Sequence, residues 1–298
     1  MKSLLLPERF LFDMNVSQRV DLHIHSTASD GQMTPVEVVQ CALERHLRAI
    51  SITDHDSVAA IEVAREYTRD TDLEVIPGFE LGVAHRGADV HLLGYLIDYR
   101  SPSLLQALGR FRRLRYHRGE KIIDKLNRLG VDLRMETVMA IAGDAPLGRP
   151  HVADAMVREE YVNSYREAFA RYLGYHAPAY VPRSGVSLEQ AIGLIHRSGG
   201  VAVLAHPGVL NRDELIPEMV EMGLDGLEAY HYIHDQATAR RYVLLAHQHG
   251  LVFSGGSDCH GSRAGGCHLL GKGPVSYHCV TALKKRQKWL GLQSISTE

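Results

Sequence analysis

The sequence predicts an α/β fold built on parallel strands, and three observations carry that prediction. Short apolar runs alternate with segments of helical periodicity to give seven strands along the chain. A stretch from 101 to 182 breaks the alternation with helical patterns only. A histidine or carboxylate motif follows nearly every strand. Strands separated by helices imply a parallel sheet. Polar motifs at the ends of most strands, rather than at one switch point, favour a seven-stranded barrel over an open doubly wound sheet.

The first strand is Val20-Asp21-Leu22-His23-Ile24-His25, where apolar and polar residues alternate and both histidines fall on one face. Thr34-Pro35-Val36-Glu37 is a capping box with proline at the first helical position, opening a helix to about 47. A second strand over 49–53 ends in Thr53-Asp54-His55-Asp56, and a helix over 58–69 follows. The third strand, 73–76, runs into Pro77-Gly78-Phe79-Glu80. The fourth, 89–95, carries His91. Gly130 and Gly174 mark stops within the helical stretch 101–182, which reads as an insert between strands four and five. Ser187-Leu188-Glu189-Gln190 is a second capping box. Strands over 201–204, 225–229 and 251–254 complete the seven, with helices over 213–222 and 237–249 between them. The domain division is therefore a leader (1–19), a barrel (20–100 and 183–298) and a helical insert (101–182).

Composition sets the limits. A chain of 298 residues buries a large core. A formal net charge of −2 gives no global attraction to nucleic acid or membrane. The 18 histidines stand out, and histidine is the commonest metal ligand. Four cysteines without CxxC spacing suggest free thiols in a reducing, cytoplasmic compartment. No apolar run approaches the roughly 20 residues of a membrane span. The leader is interrupted by Pro7, Glu8 and Arg9 and does not read as a signal peptide; Met14 is an alternative start.

The strand ends together offer His23, His25, Asp30, His55, Glu80, His91, His206, Asp258 and His260. For any one of them ordinary strand-end polarity is a sufficient explanation, but it is a poor one for all nine. Mixed nitrogen and oxygen donors suit Zn, Mn or Fe rather than Mg or Ca. Shared among two or three ions about 3.5–4 Å apart, they would form a clamp for phosphate-ester hydrolysis by a bridging hydroxide. No Walker or Rossmann glycine pattern is present.

His23-Ile24-His25-Ser26, Thr53-Asp54-His55-Asp56, Gly78-Phe79-Glu80, His91-Leu92-Leu93-Gly94-Tyr95, Ala205-His206-Pro207 and Ser257-Asp258-Cys259-His260 resemble, in order, the motifs of the PHP (polymerase and histidinol phosphatase) family. The resemblance implies a distorted (β/α)7 barrel and phosphoesterase activity. It also implies three divalent metals, with Mn²⁺ first and Fe or Zn as alternatives, and the nine positions above as ligands. Within the insert, Gly148-Arg149-Pro150-His151-Val152-Ala153 and Ala179-Tyr180-Val181-Pro182 resemble a stand-alone bacterial subgroup. That subgroup includes 3′,5′-nucleotide bisphosphatases and a similar 5′-to-3′ exoribonuclease. The implied reaction releases the 3′-phosphate of a nucleoside 3′,5′-bisphosphate and leaves the 5′-monophosphate. Alternatives are exoribonuclease action on 5′-phosphorylated RNA, a histidinol-phosphate phosphatase and a non-catalytic metal-binding module. An amidohydrolase usually calls for a carboxylated lysine, which no strand-end motif supplies.

Further residues are weighed one by one. Arg149 is a candidate phosphate fork, with a surface ion pair as the plain alternative. His151 is a candidate substrate contact or a helix-start residue. Arg113 and Arg118 are taken from the basic run 110–128 as phosphate contacts, although solvated faces explain most charge runs. His231 is a candidate general acid and substrate contact. Tyr95 and Tyr230 either stack on a base or pack in the core, and Cys259 reads as packing rather than as a nucleophile. The expected partners are a nucleotide bisphosphate or short RNA, with no membrane and no obligate protein partner.

Overall fold

A computed structural model describes residues 19–262, 266–273 and 275–295. The expectations for the leader before Arg19 and for Met14 lie outside these residues. The elements in order are β1 (Val20–Ile24), α1 (Pro35–Glu44), β2 (Ala49–Ile52), α2 (Ala59–Tyr67), β3 (Glu74–Val75), β4 (Gly78–His85) and β5 (Ala88–Tyr95). The helical stretch follows as α3 (Pro102–Arg128), α4 (Met135–Ala142), α5 (Arg149–Arg158) and α6 (Tyr165–Ala168), closed by a π turn over Phe169–Leu173. Then come α7 (Leu188–Arg197), β6 (Val201–Leu204), α8 (Pro207–Leu210), α9 (Ile216–Glu221), β7 (Gly226–His231), α10 (Gln236–Gln248), β8 (Val252–Gly256) and α11 (His278–Ile295). Both expected capping boxes form, at Thr34 with Glu37 and at Ser187 with Gln190.

The described strands form two sheets, in the orders β1-β2-β3 and β4-β5-β6-β7-β8. The expectation that all strands run parallel is corrected here. Residues 78–85, to which the sequence pattern assigns no strand, are β4, which pairs antiparallel with β5 from Gly78–Tyr95 to His85–Ala88. The two-residue turn between them, Arg86-Gly87, has φ of 50° and 78°. Two positive φ values match the twist of a hairpin, but the usual sequence signal is Asn-Gly or Asp-Gly. β5 also pairs antiparallel with β6, and only β6-β7-β8 run parallel.

The two sheets are joined by two bridges. Ile24 bridges to Cys259 and His55 bridges to Glu80, both in parallel sense. Gly256 shows how closely β8 passes β1: a Cβ there would lie 2.3 Å from the His23 backbone nitrogen. Strand ends that carry histidines and carboxylates therefore converge on one mouth.

α3 links two cores. Leu104, Leu108 and Phe111 pack with β4, β5 and α7, whereas Ile122, Ile123 and Leu126 pack with Val138, Val152 and Met156 of the insert. At 27 residues it spans roughly 40 Å. Its polar face between the two cores lies over the strand ends.

The expectation of four free thiols is also corrected. Cys41 of α1 and Cys267 form a disulfide across 226 residues, and among the described cysteines only Cys259 and Cys279 are free and buried. Local spacing rules cannot find a pair that only the fold brings together. Denatured without reductant, the protein is expected to show two titratable thiols, rising to four after reduction. Four thiols before reduction would refute the bridge. No helix among the described residues is long and apolar enough to cross a membrane.

Candidate metal centre

The nine strand-end residues predicted from the sequence lie together. Their donor atoms fall into four overlapping groups, each within 4.8 Å: His25-Asp30-His55-His260, His23-His25-Asp258, His23-Glu80-His206 and His55-Glu80-His91. Each position follows from a strand end. His23 lies on β1 and His25 directly after it, Glu80 and His91 sit on the hairpin, and His206 and Asp258 follow β6 and β8. His206 (φ 30°) and Asp258 (φ 49°) adopt left-handed backbone, a sparsely populated conformation that clusters at functional sites.

Glu80 is the hub, and it is 1% exposed. Its Oε2 lies 3.0 Å from His55 Nδ1, 3.3 Å from His25 Nε2 and 3.5 Å from His23 Nε2. Its Oε1 lies 2.7 Å from His91 Nδ1 and 3.2 Å from His206 Nε2. Asp258 Oδ1 lies 3.1 Å from His25 Nε2 and 3.3 Å from His23 Nε2. Asp30 Oδ1 lies 3.4 Å from His260 Nε2.

Burial alone would push these carboxyls up, but the surrounding imidazoles outweigh it and hold Asp30, Glu80 and Asp258 well below the usual range. Burial pushes His91 down to about 3. For His25, burial is outweighed by bonds to Asp258 and Glu80, and its pKa rises to about 10. Such protons occupy places that a divalent ion would take. His55 Nδ1 is buried and faces Glu80 Oε2 at 3.0 Å without the alignment of a hydrogen bond. Imidazole nitrogens and anionic carboxylates converging in one buried space fit a cluster of divalent ions.

Sequence reasoning missed the residues that orient these donors. Glu228 of β7, fully buried, meets His23 Nδ1 at 2.9 Å and accepts the His206 backbone N–H at 2.7 Å. His23 Nε2 is thereby left for a metal. Asp54 accepts from the Ser26 backbone N–H at 2.7 Å and its hydroxyl at 2.6 Å. A lone acid in the otherwise buried run Gly226-Leu227-Glu228-Ala229 was the available signal, because a buried carboxylate needs partners.

The predicted substrate residues divide. A cavity of about 280 Å³ is lined by ligand candidates together with Arg118, Arg149 and His231. His231 Nε2 lies 3.3 Å from Asp258 Oδ2. Arg113 is corrected: it lies exposed on α3 and does not line this cavity. His151 is corrected too. It is buried, its Nδ1 accepts the Gly148 N–H at 3.1 Å, and its Nε2 lies 3.1 Å from Ser29 O, so both nitrogens are spent tying α5 to the loop of Asp30. Tyr95 is core, donating its hydroxyl to Leu22 O at 2.9 Å, and Tyr230 packs on Phe253. Cys259 is buried among apolar neighbours, which is the packing role expected of it.

Two arginines join the cavity that sequence reasoning did not single out, Arg115 and Arg183. Arg115 donates to Asp56, and both are buried. Arg183 Nη2 lies 3.2 Å from His91 Nε2. Arg118 Nη2 and Arg149 Nη2 stand 3.5 and 3.8 Å from Asp89 Oδ2. Burial, with repulsion from Arg183 and Arg149, pushes Arg118 down to about 9.

A fold of this kind around such a donor cluster defines a class, the metal-dependent phosphoesterases, and comparison with known proteins places the chain within it. The PHP domain family model matches residues 21–198, and the chain belongs to that family. It is 34% identical over 255 residues to the 5'-3' exoribonuclease Rnm of Escherichia coli strain K12, covering 83% of this chain and 87% of that protein. It is 32% identical over 253 residues to a 3',5'-nucleoside bisphosphate phosphatase of Chromobacterium violaceum, covering 83% and 89%. A crystal structure from Bifidobacterium adolescentis, described as that of a metal-dependent phosphoesterase, superposes with a TM-score of 0.80 at 29% identity, covering 90% of this chain and 96% of that one.

Proposed function

We propose that the protein hydrolyses the 3′-phosphate of nucleoside 3′,5′-bisphosphates and leaves the 5′-monophosphate. The nine clustered residues would hold divalent ions, Mn²⁺ first, three in number by the family's pattern. When bound, such ions supply positive charge to a phosphoryl group and lower the pKa of an attacking water.

The observation that carries the substrate is the arginine set beside the cluster. Arg115 is balanced by Asp56, while Arg118 and Arg149 share Asp89. Arg115 Nη2, Arg118 Nη2 and Arg183 Nε are buried with no hydrogen bond among the described residues. Buried guanidinium donors that hold no hydrogen bond suit phosphate oxygens. One phosphate at the metal cluster leaves this set unspent, so a second phosphate on the same substrate accounts for it. Histidinol phosphate carries only one and would leave those unbonded donors unused. Arg149 and Arg118 would fork onto a phosphate, and His231, held by Asp258, would donate a proton to the leaving oxygen. Tyr165, Phe169, Val209 and Tyr232 line the same cavity and offer apolar surface to a base.

The surrounding architecture is read accordingly. The two sheets are halves of a distorted (β/α)7 barrel, and residues 101–182 are a substrate-recognition subdomain. A second reading, 5′-to-3′ trimming of 5′-phosphorylated RNA, is favoured by Val209 and Tyr232. Both are 56% exposed, so the base side of the cavity stays open to a longer strand.

Chelator-treated protein reloaded with Mn²⁺ is expected to release phosphate from adenosine 3′,5′-bisphosphate while leaving AMP intact. Mononucleotides from 5′-phosphorylated RNA at a comparable rate would favour the second reading. No turnover of any phosphate ester after reloading would refute both.

A further inference from the structure

A second cavity of about 790 Å³ lies between α3, β4 and residues 181–186. Phe111, Leu114 and Ile123 of α3 face Val83 and Val186 to make its apolar walls. Its inner end is formed by Arg115, Arg118 and Arg183, which also line the metal pocket. These arginines are the partition between the two spaces. Gly82 makes the partition fit, since a Cβ there would lie 2.3 Å from the Arg183 Cζ. The guanidinium can therefore lie flat on β4, with Nη2 toward His91.

The donors of this partition are only half used. Arg118 Nε donates to Val181 O at 2.7 Å and Arg115 Nε to Asp56. Arg115 Nη2 and Arg183 Nε have no hydrogen bond among the described residues, nor does Arg118 Nη2, which stands 3.5 Å from Asp89 Oδ2. Arg115 is 6% exposed and the Arg118 side chain 10%. Cationic donors buried to this degree call for an anion. The outer wall carries Glu120 and Asp124 beside Lys121, which disfavours a polyanionic strand. The volume lies in the usual range for small-molecule sites, about 300–1,000 Å³.

We propose that this cavity is a second ligand site, taking a small molecule with an apolar or aromatic body and a single oxyanion head, the head against Arg115, Arg118 and Arg183. An occupant draws on the guanidinium groups that the metal pocket also uses. Its binding therefore weakens the hold on substrate phosphate and raises KM. That consequence rests on the function proposed above; the binding itself does not.

The test uses 8-anilinonaphthalene-1-sulfonate, an aromatic body with one sulfonate, titrated into Mn²⁺-loaded protein. Fluorescence is expected to saturate at one probe per chain. Leu114→Trp fills the cavity from α3, and Ser184→Trp fills it from the exposed connecting segment. Neither residue lines the metal pocket. Each variant, checked for folding by circular dichroism, is expected to weaken the probe by at least about ten-fold. Non-saturating fluorescence, or affinity unchanged in both variants, overturns the proposal. The binding arm needs no turnover, so failure of this site and failure of the phosphoesterase reading are separable.

Discussion

Glu80→Gln is expected to lower turnover by more than about 100-fold, with a matching fall in bound metal measured by elemental analysis. Residues that merely support metal ligands typically cost about 10–100-fold when removed. Glu80 stands closer in: its two oxygens lie between 2.7 and 3.5 Å from nitrogens of His23, His25, His55, His91 and His206. Glutamine keeps the shape but removes the negative charge and turns one acceptor into a donor. The new N–H₂ would face imidazole nitrogens or a cation, and either is unfavourable. A Glu80→Gln protein with full metal content and full turnover would remove Glu80 from the centre.

Asp56→Ala is expected to destabilise the protein by about 3–5 kcal/mol in denaturant unfolding, because it strands a buried guanidinium. Asp56 is 1% exposed and Arg115, its partner, 6%. The Asp56→Ala, Arg115→Met double variant removes both charges and is expected to recover most of that loss. It should nonetheless hydrolyse its substrate with a raised KM, since Arg115 lines the metal pocket. Similar stability for the single and double variants would show that the stranded charge is not what costs the free energy.

The site was legible because its donors are tied to strand ends, and strand ends are marked by alternation in the sequence. His23 and His25 advertise themselves by a period of two, and His206 and Asp258 by their place after buried runs. Glu80 is instructive in the other direction. After Pro77-Gly78 it has the sequence setting of a turn residue, yet it is the hub, because β4 and the segment after β2 bridge at Glu80 and His55. The arginines were legible only as a charged run. α3 offers many cations, and sequence cannot say which face meets the pocket: Arg115 and Arg118 do, and Arg113 points to solvent. Arg183 lies outside that run, and its place over Gly82 exists only in the folded chain.

The sequence by itself determined the α/β class, the order of most helices and strands, and the nine donors that converge. Those features depend on local periodicity, capping chemistry and residue type. Tertiary structure alone decided the two-sheet arrangement, the antiparallel hairpin of β4 and β5, and the Cys41–Cys267 bridge. It also decided that His151 is a tie rather than a substrate contact, and that Glu228 and Asp56 hold partners far along the chain. The reason is the same in each case. A hydrogen bond or ion pair between distant residues leaves no period in the sequence, and buried polar groups take whatever partner the packing of separate elements brings within reach.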